Sequence, residues 1–266
     1  MFIRYLFIVI TNLSCFAASA ESLQAVLIVG RQEDGTAAAI EQMDRIAQVF
    51  EKNGVIVKRF YDKDAEWSKI VKAAPMASFL VYSGHGSTLG EGGSAGGLCI
   101  NEYVTAEMIA SGLRLKPNAL VLFQSVCMGA GSSAGDDGDV GLLVARERVA
   151  AYAKPFLGCG ASAYYANNFT NGVKEFLESF FEHKTLAECF RISAQTWTTV
   201  EPGVVYKHDR TKNLRIAYSD WNGTITRTSW VNGVKSVEEI PGHKQYDIAC
   251  VGADSFSLST LKGVSR

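Results

Sequence analysis

Apolar runs and amphipathic segments alternate along the first two thirds of the chain. The runs at residues 24–30, 55–61 and 77–83 are continuous and stop at glycine or polar positions, which is typical of strands covered on both faces. Between the first two runs, residues 36–52 carry apolar side chains at helical spacing and end at Asn53-Gly54, a helix stop. A shorter helix is expected before the third run. This alternation predicts a parallel sheet with helices packed against it.

The pattern continues after a glycine-rich loop at residues 84–97. The expected segments are a short helix at 105–112, a strand at 119–126, a helix at 141–153, a strand at 155–161 and a helix at 173–181. Thr185 and Glu188 then form a capping box, which opens a further helix. We therefore assign residues 21–197 to one α/β domain.

From residue 198 onward the chain consists of short β-branched and aromatic runs. Asn-Gly pairs at 222–223 and 232–233 are turn signals suited to hairpins. Residues 198–266 are expected to form either a β-rich extension of the same domain or a small appendage. The predicted fold class is α/β, with a mainly parallel sheet flanked by helices and a β-rich C-terminal part.

The N-terminus has the features of a secretory signal peptide over residues 1–20. Arg4 precedes a short apolar stretch, and Ala18-Ser19-Ala20 provides a small-residue cleavage motif. Because the apolar stretch is too short to span a membrane, we expect an exported protein, periplasmic or extracellular, with no stable membrane insertion after signal removal. The formal net charge is -1 and the sequence has no long charged run, so we do not expect binding to nucleic acid.

Export makes the cysteines informative, because thiols tend to pair outside the cytoplasm. Five cysteines lie beyond the signal: Cys99, Cys127, Cys159, Cys189 and Cys250. With an odd number, at least one has no partner within the chain, and the pairing among the others is open. An unpaired thiol is a candidate for reactivity, although a single cysteine is more often a small buried hydrophobe.

Two chemically versatile residues each follow the end of a predicted strand. His85 lies in the turn Gly84-His85-Gly86 after the third apolar run, and Cys127 follows the run at 119–126. Reactive groups gather at the carboxyl ends of parallel strands. If the two strands are neighbours, the imidazole can take the proton of the thiol, which is the arrangement for attack on a carbonyl carbon. Backbone N–H groups at Gly86 and Cys127 are then candidates for an oxyanion hole.

These residues resemble the caspase-like cysteine peptidases, the group that includes caspases, legumain, clostripain and gingipain. The resemblance is carried by Ser83-Gly84-His85-Gly86 and by Phe123-Gln124-Ser125-Val126-Cys127, each preceded by an apolar strand, and it covers residues 24–195. It implies that Cys127 is the nucleophile, that His85 gives a proton to the leaving amine, and that Gly86 and Cys127 supply the oxyanion hole.

The resemblance also points to residues that bind the substrate side chain. Clostripain-like members carry an acidic residue two positions before the nucleophile, where it meets an Arg or Lys of the substrate. Ser125 occupies that position here, which places such specificity in doubt. The resemblance further places a pocket wall at the end of the next strand, assigned to residues 159–162, so that Ser162 is a second candidate for substrate binding.

The acidic loop Asp136-Asp137-Gly138-Asp139 admits three interpretations. Closely spaced carboxylates around a glycine suit calcium, but the full EF-hand pattern is absent. The loop could instead be a specificity or cleavage loop, or an ordinary solvated loop, which is the default. We expect no required cofactor and keep calcium as an open candidate.

The sequence thus predicts an exported cysteine endopeptidase that acts on peptides or proteins through a Cys-His dyad, with self-processing left open. One alternative is an inactive binding module on the same scaffold. Another is a serine hydrolase built on Gly131-Ser132-Ser133-Ala134-Gly135, which matches a Gly-x-Ser-x-Gly elbow and would take a distant histidine as base. Ser133 lies six residues beyond Cys127 rather than at a strand end, which weakens that match.

Overall fold

The structure is a computed structural model that describes residues 22–86, 96–207, 212–221, 223–231 and 234–263. The signal-peptide prediction at 1–20 and much of the glycine-rich loop after His85 therefore lie outside the described residues. The helices are α1 (Thr36–Lys52), α2 (Trp67–Ala73), α3 (Ala106–Gly112), α4 (Leu142–Leu157), α5 (Gly172–Phe181), α6 (Leu186–Trp197) and α7 (Leu258–Leu261).

Strands account for about half of the remaining described chain. They are β1 (Gln24–Val29), β2 (Ile56–Tyr61), β3 (Phe79–Ser83), β4 (Leu98–Cys99), β5 (Tyr103–Val104), β6 (Ala119–Gln124), β7 (Ala161–Asn167), β8 (Thr199–Lys207), β9 (Asn213–Asp220), β10 (Thr224–Val231), β11 (Val234–Pro241) and β12 (Lys244–Gly252).

The described residues form one large sheet of eight strands in the order β2-β1-β3-β6-β7-β12-β9-β8. The first five strands run parallel to one another, and the last three pair antiparallel. Helices cover both faces, so the predicted α/β class with a mainly parallel sheet is confirmed. The five parallel strands bring the loops after β1, β3, β6 and β7 to the same edge of the sheet.

Each face of the sheet packs against its own set of helices. In β1, Val26 and Ile28 contact the cluster formed with α2, α3 and α4, whereas Leu27 and Val29 contact the cluster formed with α1, α5, α6 and α7. Strand residues alternate between the two faces, so a continuous apolar run is required when both faces are covered. This explains why the central strands show no polar alternation.

The C-terminal part is divided between the sheet and a separate hairpin. Strands β8, β9 and β12 extend the large sheet, while β10 and β11 pair only with each other and form what we call the arm, residues 224–241. Val231 pairs with Val234 in the arm, as a hairpin around 232–233 requires. The hairpin expected around 222–223 is wrong, because β9 and β10 do not pair.

The strand expected at residues 155–161 is also wrong. Helix α4 continues through Pro155 and Phe156 to Leu157, and the strand begins only at Ala161. Proline near the last turn of a helix mimics a helix stop in the sequence pattern. The glycines at 158 and 160 therefore belong to a turn between the helix and β7.

Candidate active site

His85 and Cys127 lie at the same edge of two adjacent strands. β3 and β6 pair directly, with Tyr82 opposite Phe123, and the chain then leads to His85 from one strand and to Cys127 from the other. The condition on which the predicted dyad depended, that these strands are neighbours, is met. Both residues are partly accessible, since His85 is exposed and Cys127 is half-buried.

The backbones after the two strands touch at Gly86 and Cys127. A β-carbon added at Gly86 would lie 1.9 Å from the carbonyl oxygen of Cys127 and 2.9 Å from the hydroxyl of Tyr152. Only glycine allows this approach, because no side chain fits in that space. Neither the N–H of Gly86 nor that of Cys127 donates a hydrogen bond to another residue of the described ranges.

A buried phenol fixes the turn that carries His85. The hydroxyl of Tyr82 lies 2.9 Å from the carbonyl oxygen of His85 and 3.1 Å from that of Cys99, and it accepts the N–H of Cys99 at 3.0 Å. Burial raises the pKa of Tyr82 well above its usual range, which keeps the hydroxyl neutral and able to donate. One oxygen thereby joins the end of β3 to β4.

The loop carrying Cys127 is short, strained and internally bonded. Ser125 and Met128, on either side of the cysteine, have φ angles of 55° and 65°, values that non-glycine residues seldom adopt. The N–H of Ser125 donates to the carbonyl of Asn167 at 2.9 Å, and that of Met128 donates to the carbonyl of Ser132 at 2.7 Å. Such strain persists where surrounding bonds enforce it, and it is typical of functional loops.

Glu33, a residue that sequence reasoning missed, contacts His85. Its Oε2 lies 2.8 Å from Nε2 of the imidazole, and both side chains are about half exposed. Glu33 follows β1, which is the other neighbour of β3. A carboxylate in this position can orient the imidazole. The available signal was that Glu33, like His85, follows a strand of the parallel sheet.

A cavity of about 400 Å³ opens on the opposite side of Cys127 from His85. Its lining comprises Ser125 and Cys127, residues 132–134, residues 168–170 after β7, Trp221 and Thr226 near the base of the arm, and Gln245 and Asp247 of β12. Because β7 and β12 follow β6 in the sheet, the cysteine lies between the histidine and the cavity. Ser125, expected to contact the substrate, is in the lining.

The second residue that sequence reasoning missed is Asp247, whose carboxyl group is buried in the wall of this cavity. Asp247 is 5% exposed; Ser219 donates its hydroxyl to Oδ2 at 2.5 Å, and Asn168 donates Nδ2–H to Oδ1 at 3.3 Å. Desolvation raises the pKa of the carboxyl group, an effect that these hydrogen bonds partly oppose. The sequence signal was a single charge within the apolar strand β12.

The arm extends along the edge that carries the dyad. Thr226, near its base, lines the cavity, and Lys235, near its other end, forms an ion pair with Asp34 at 2.7 Å. Asp34 is adjacent to Glu33 in the loop after β1. The arm thus reaches from the cavity to that loop.

Cys127 differs from the buried cysteines. Cys159, Cys189 and Cys250 are buried, and burial raises the pKa of each thiol, to about 12 for Cys189 and Cys250. These three are therefore poor nucleophiles. Cys99 is half-buried like Cys127, and within the described part of the chain Cys127, Cys159, Cys189 and Cys250 form no disulfide.

Ser162 does not lie in the pocket where the sequence analysis placed it. β6 and β7 run parallel with Ala119 opposite Ala161 and Gln124 opposite Asn167. Ser162 therefore lies at the amino end of β7, where its hydroxyl donates to Oδ1 of Asn118 at 3.1 Å, far from the edge that carries Cys127. The pocket wall expected at 159–162 was misplaced because the strand was assigned too early; residues 168–170 occupy that role in the cavity.

Ser133 lines the same cavity but lacks the surroundings of a serine nucleophile. Its hydroxyl accepts the N–H of Gly135 at 3.1 Å, and it lies well past the end of β6. In the described ranges no histidine hydrogen-bonds to Ser133, and His208, one of the candidate bases, lies outside them.

The acidic loop is bonded to protein groups. Asp136 forms a two-point ion pair with Arg148, both distances being 2.8 Å, and Asp139 accepts the N–H of Lys244 at 2.6 Å. Across the described residues, no group of three or more His, Cys, Asp or Glu side chains could hold a metal ion. The calcium candidate stays a prediction.

No described helix is long and apolar enough to span a membrane.

Two comparisons give no relative from which roles could be transferred. No model of a protein family matches the chain, and a search of the curated proteins finds no match. The site is therefore interpreted from its own geometry: a half-buried thiol on a strained loop, between a carboxylate-bonded histidine and a cavity with a buried carboxylate.

Proposed function

We propose that the protein is a cysteine endopeptidase in which Cys127 attacks the peptide bond and His85 carries the proton. The observation that carries the proposal is the position of Cys127, on a strained loop at the carboxyl edge, in backbone contact with the His85 turn and open to a cavity. The resemblance to caspase-like peptidases, based on the motifs around these two residues, points to the same chemistry.

In the proposed acylation step, the thiol of Cys127 transfers its proton to His85, and the sulfur attacks the carbonyl carbon of the substrate. The N–H groups of Gly86 and Cys127, which have no partner in the described ranges, stabilise the oxyanion. The intermediate then collapses, the C–N bond breaks, and the protonated imidazole gives its proton to the leaving amine. The product is a thioester on Cys127.

Deacylation uses the same groups with water as the nucleophile. His85 removes a proton from the water, whose oxygen attacks the thioester carbon; the thiolate leaves and takes the proton back from the imidazolium. Glu33, bonded to Nε2, leaves Nδ1 as the nitrogen that exchanges the proton and holds the imidazole ring in one orientation in both steps. Glu33 is thus a positioning residue rather than a catalytic one.

The experiment is alkylation of the folded protein without residues 1–20 by iodoacetamide, with the labelled cysteine located by peptide mass. We expect rapid labelling of Cys127 that is slowed at least tenfold by His85→Ala, because an activated thiolate depends on its base. Hydrolysis of a peptide library should be lost in both His85→Ala and Cys127→Ala.

Cys99 provides the internal control, because it is half-buried like Cys127 but belongs to the short strand β4, whereas Cys127 lies on the loop that touches the His85 turn. Its labelling rate should not respond to His85→Ala. If Cys127 is labelled no faster than Cys99, and if His85→Ala does not change its labelling rate, the peptidase proposal fails. A binding module then becomes the better interpretation.

A further inference from the structure

The cavity beside Cys127 contains a buried carboxyl group, that of Asp247, which pairs with no cation among the described residues. In the described residues, the carboxyl group of Asp247 is bonded to the neutral side chains of Ser219 and Asn168, the indole of Trp221 also interacts with it, and it forms no ion pair with Lys or Arg. A carboxylate has about four lone-pair positions, so these bonds leave it able to accept more. A desolvated, unpaired carboxylate is costly unless a cation binds to it.

The rest of the cavity suits a long side chain with a positive end. Phe169 and Trp221 contribute aromatic surface, against which the methylene stem of lysine or arginine packs and over which a cation is favourable. Gln245 and Ser125 add neutral polar groups. A volume of about 400 Å³ accommodates such a side chain.

We propose that this cavity binds the substrate residue on the amino side of the cleaved bond, and that Asp247 selects arginine or lysine at that position. The inference rests on the peptidase function proposed above and names its substrate class. The charge comes from strand β12, so Ser125 before the nucleophile does not exclude basic specificity. An acidic residue in the same cavity would face a like charge at close range, and a neutral one would leave Asp247 unpaired.

The test is a peptide library that varies only the residue before the cleaved bond among Arg, Lys, Leu, Asn and Asp. We expect kcat/KM to be highest for Arg and Lys, and Asp247→Asn to reduce it about a hundredfold for these two, as when a charge loses its buried partner. Hydrolysis of the Leu peptide should not fall with it and should rise relative to that of the Arg and Lys peptides, because the unpaired carboxylate is gone. Asp220→Asn, which removes an exposed carboxylate on β9 outside the cavity lining, is the matched control and should leave the order unchanged.

A second readout uses the wild-type protein and therefore does not depend on the folding of a variant. Benzamidine, which carries an amidinium, should slow alkylation of Cys127 by occupying the cavity, whereas benzamide, its neutral counterpart, should not. In Asp247→Asn the difference between the two compounds should disappear.

These readouts separate the two proposals. If the library is cleaved best after Leu, Asn or Asp, or benzamide protects Cys127 as well as benzamidine, basic specificity is overturned while the peptidase stands. If no peptide is cleaved but benzamidine still protects Cys127 through Asp247, the cation-binding cavity is supported and the peptidase proposal fails.

Discussion

Two cysteines of this chain share a sequence setting but have opposite environments. Cys127 and Cys159 each follow an apolar run and lie among glycines. Cys127 is half-buried, lies between two residues with positive φ and borders a cavity. Cys159 is 3% exposed, and its thiol donates to the carbonyl of Ile109 at 3.2 Å.

The difference follows from the direction of the strands. Cys127 lies after β6, at the carboxyl edge of the parallel strands, whereas Cys159 lies before β7, at the amino edge. Loops at the carboxyl edge converge on a crevice, and those at the amino edge serve mainly to close the core. Local composition therefore identifies a turn around a cysteine, while the direction of the strands decides whether the thiol borders the cavity or is buried in the core.

The largest effect that tests this contrast is loss of the sulfur itself. Cys127→Ala should reduce peptide hydrolysis by at least about 10³-fold without changing the melting temperature much, since the side chain is the proposed nucleophile. Cys159→Ala should leave kcat/KM unchanged and lower the free energy of unfolding by about 1 kcal/mol, because it leaves a small cavity in the core. Equal losses of activity in both variants would contradict the contrast.

The neighbouring glycines offer a second pair of variants. A β-carbon at Gly86 would lie 1.9 Å from the carbonyl oxygen of Cys127, and one at Gly160, where φ is +111°, would lie 2.6 Å from that of Leu115. Both alanine variants should lose roughly 1–3 kcal/mol of stability in denaturant unfolding. Only Gly86→Ala should also slow alkylation of Cys127, by more than about tenfold, because it displaces the nucleophile loop. Comparable alkylation rates in the two variants would argue against a role for the Gly86 contact.

The carboxyl edge also carries Glu33, the proposed positioning residue for His85. Glu33→Gln should lower kcat about tenfold with little change in KM, a modest effect because the pair with His85 is half exposed and screened. Glu33→Asp should recover part of the rate. Glu41, whose ion pair is with Arg45 on α1, gives the control, since Glu41→Gln should be neutral. A rise in KM with unchanged kcat in Glu33→Gln would place the residue in substrate binding instead.

The smallest expected effect concerns the stability cost of Asp247. Its pKa is raised in the folded state by desolvation, so the carboxyl group favours folding in acid, and this contribution is lost as the pH rises through that pKa. Asp247→Asn should therefore raise the melting temperature at pH 8, and the increase should shrink towards pH 4. Asp220→Asn should show no such trend. If the melting temperature of Asp247→Asn rises by the same amount at every pH, the stability difference from the wild type comes from packing and not from charge.

Much of the fold could be predicted because both faces of the sheet are buried. Each central strand therefore appears in the sequence as a continuous apolar run. The capping box at Thr185 and the stop at Gly54, where φ is +72°, also determined local structure. The segment 155–161 could not be read correctly, because Pro155 and two glycines resemble the start of a strand while tertiary packing keeps α4 helical through Leu157. Local signals compete there with contacts that the pattern does not contain.

Some residues of the candidate site could also be predicted from local sequence, and others could not. His85 and Cys127 could be found because each is next to its own strand. Glu33 is 52 residues from His85 in sequence, and Asp247 reaches the cavity only because β12 pairs antiparallel with β7. Those contacts depend on strand order, which no local pattern records.

The hydroxyl of Tyr82 has a consequence for exchange with solvent. β4 is only two residues long, and a strand of that length would ordinarily open readily and lose its amide hydrogens to deuterium. Its Cys99 N–H, however, is bonded to a phenol oxygen on a fully buried side chain of the central sheet. The Cys99 amide should therefore exchange at a rate set by the opening of β3, which makes it a reporter of the sheet beneath the site.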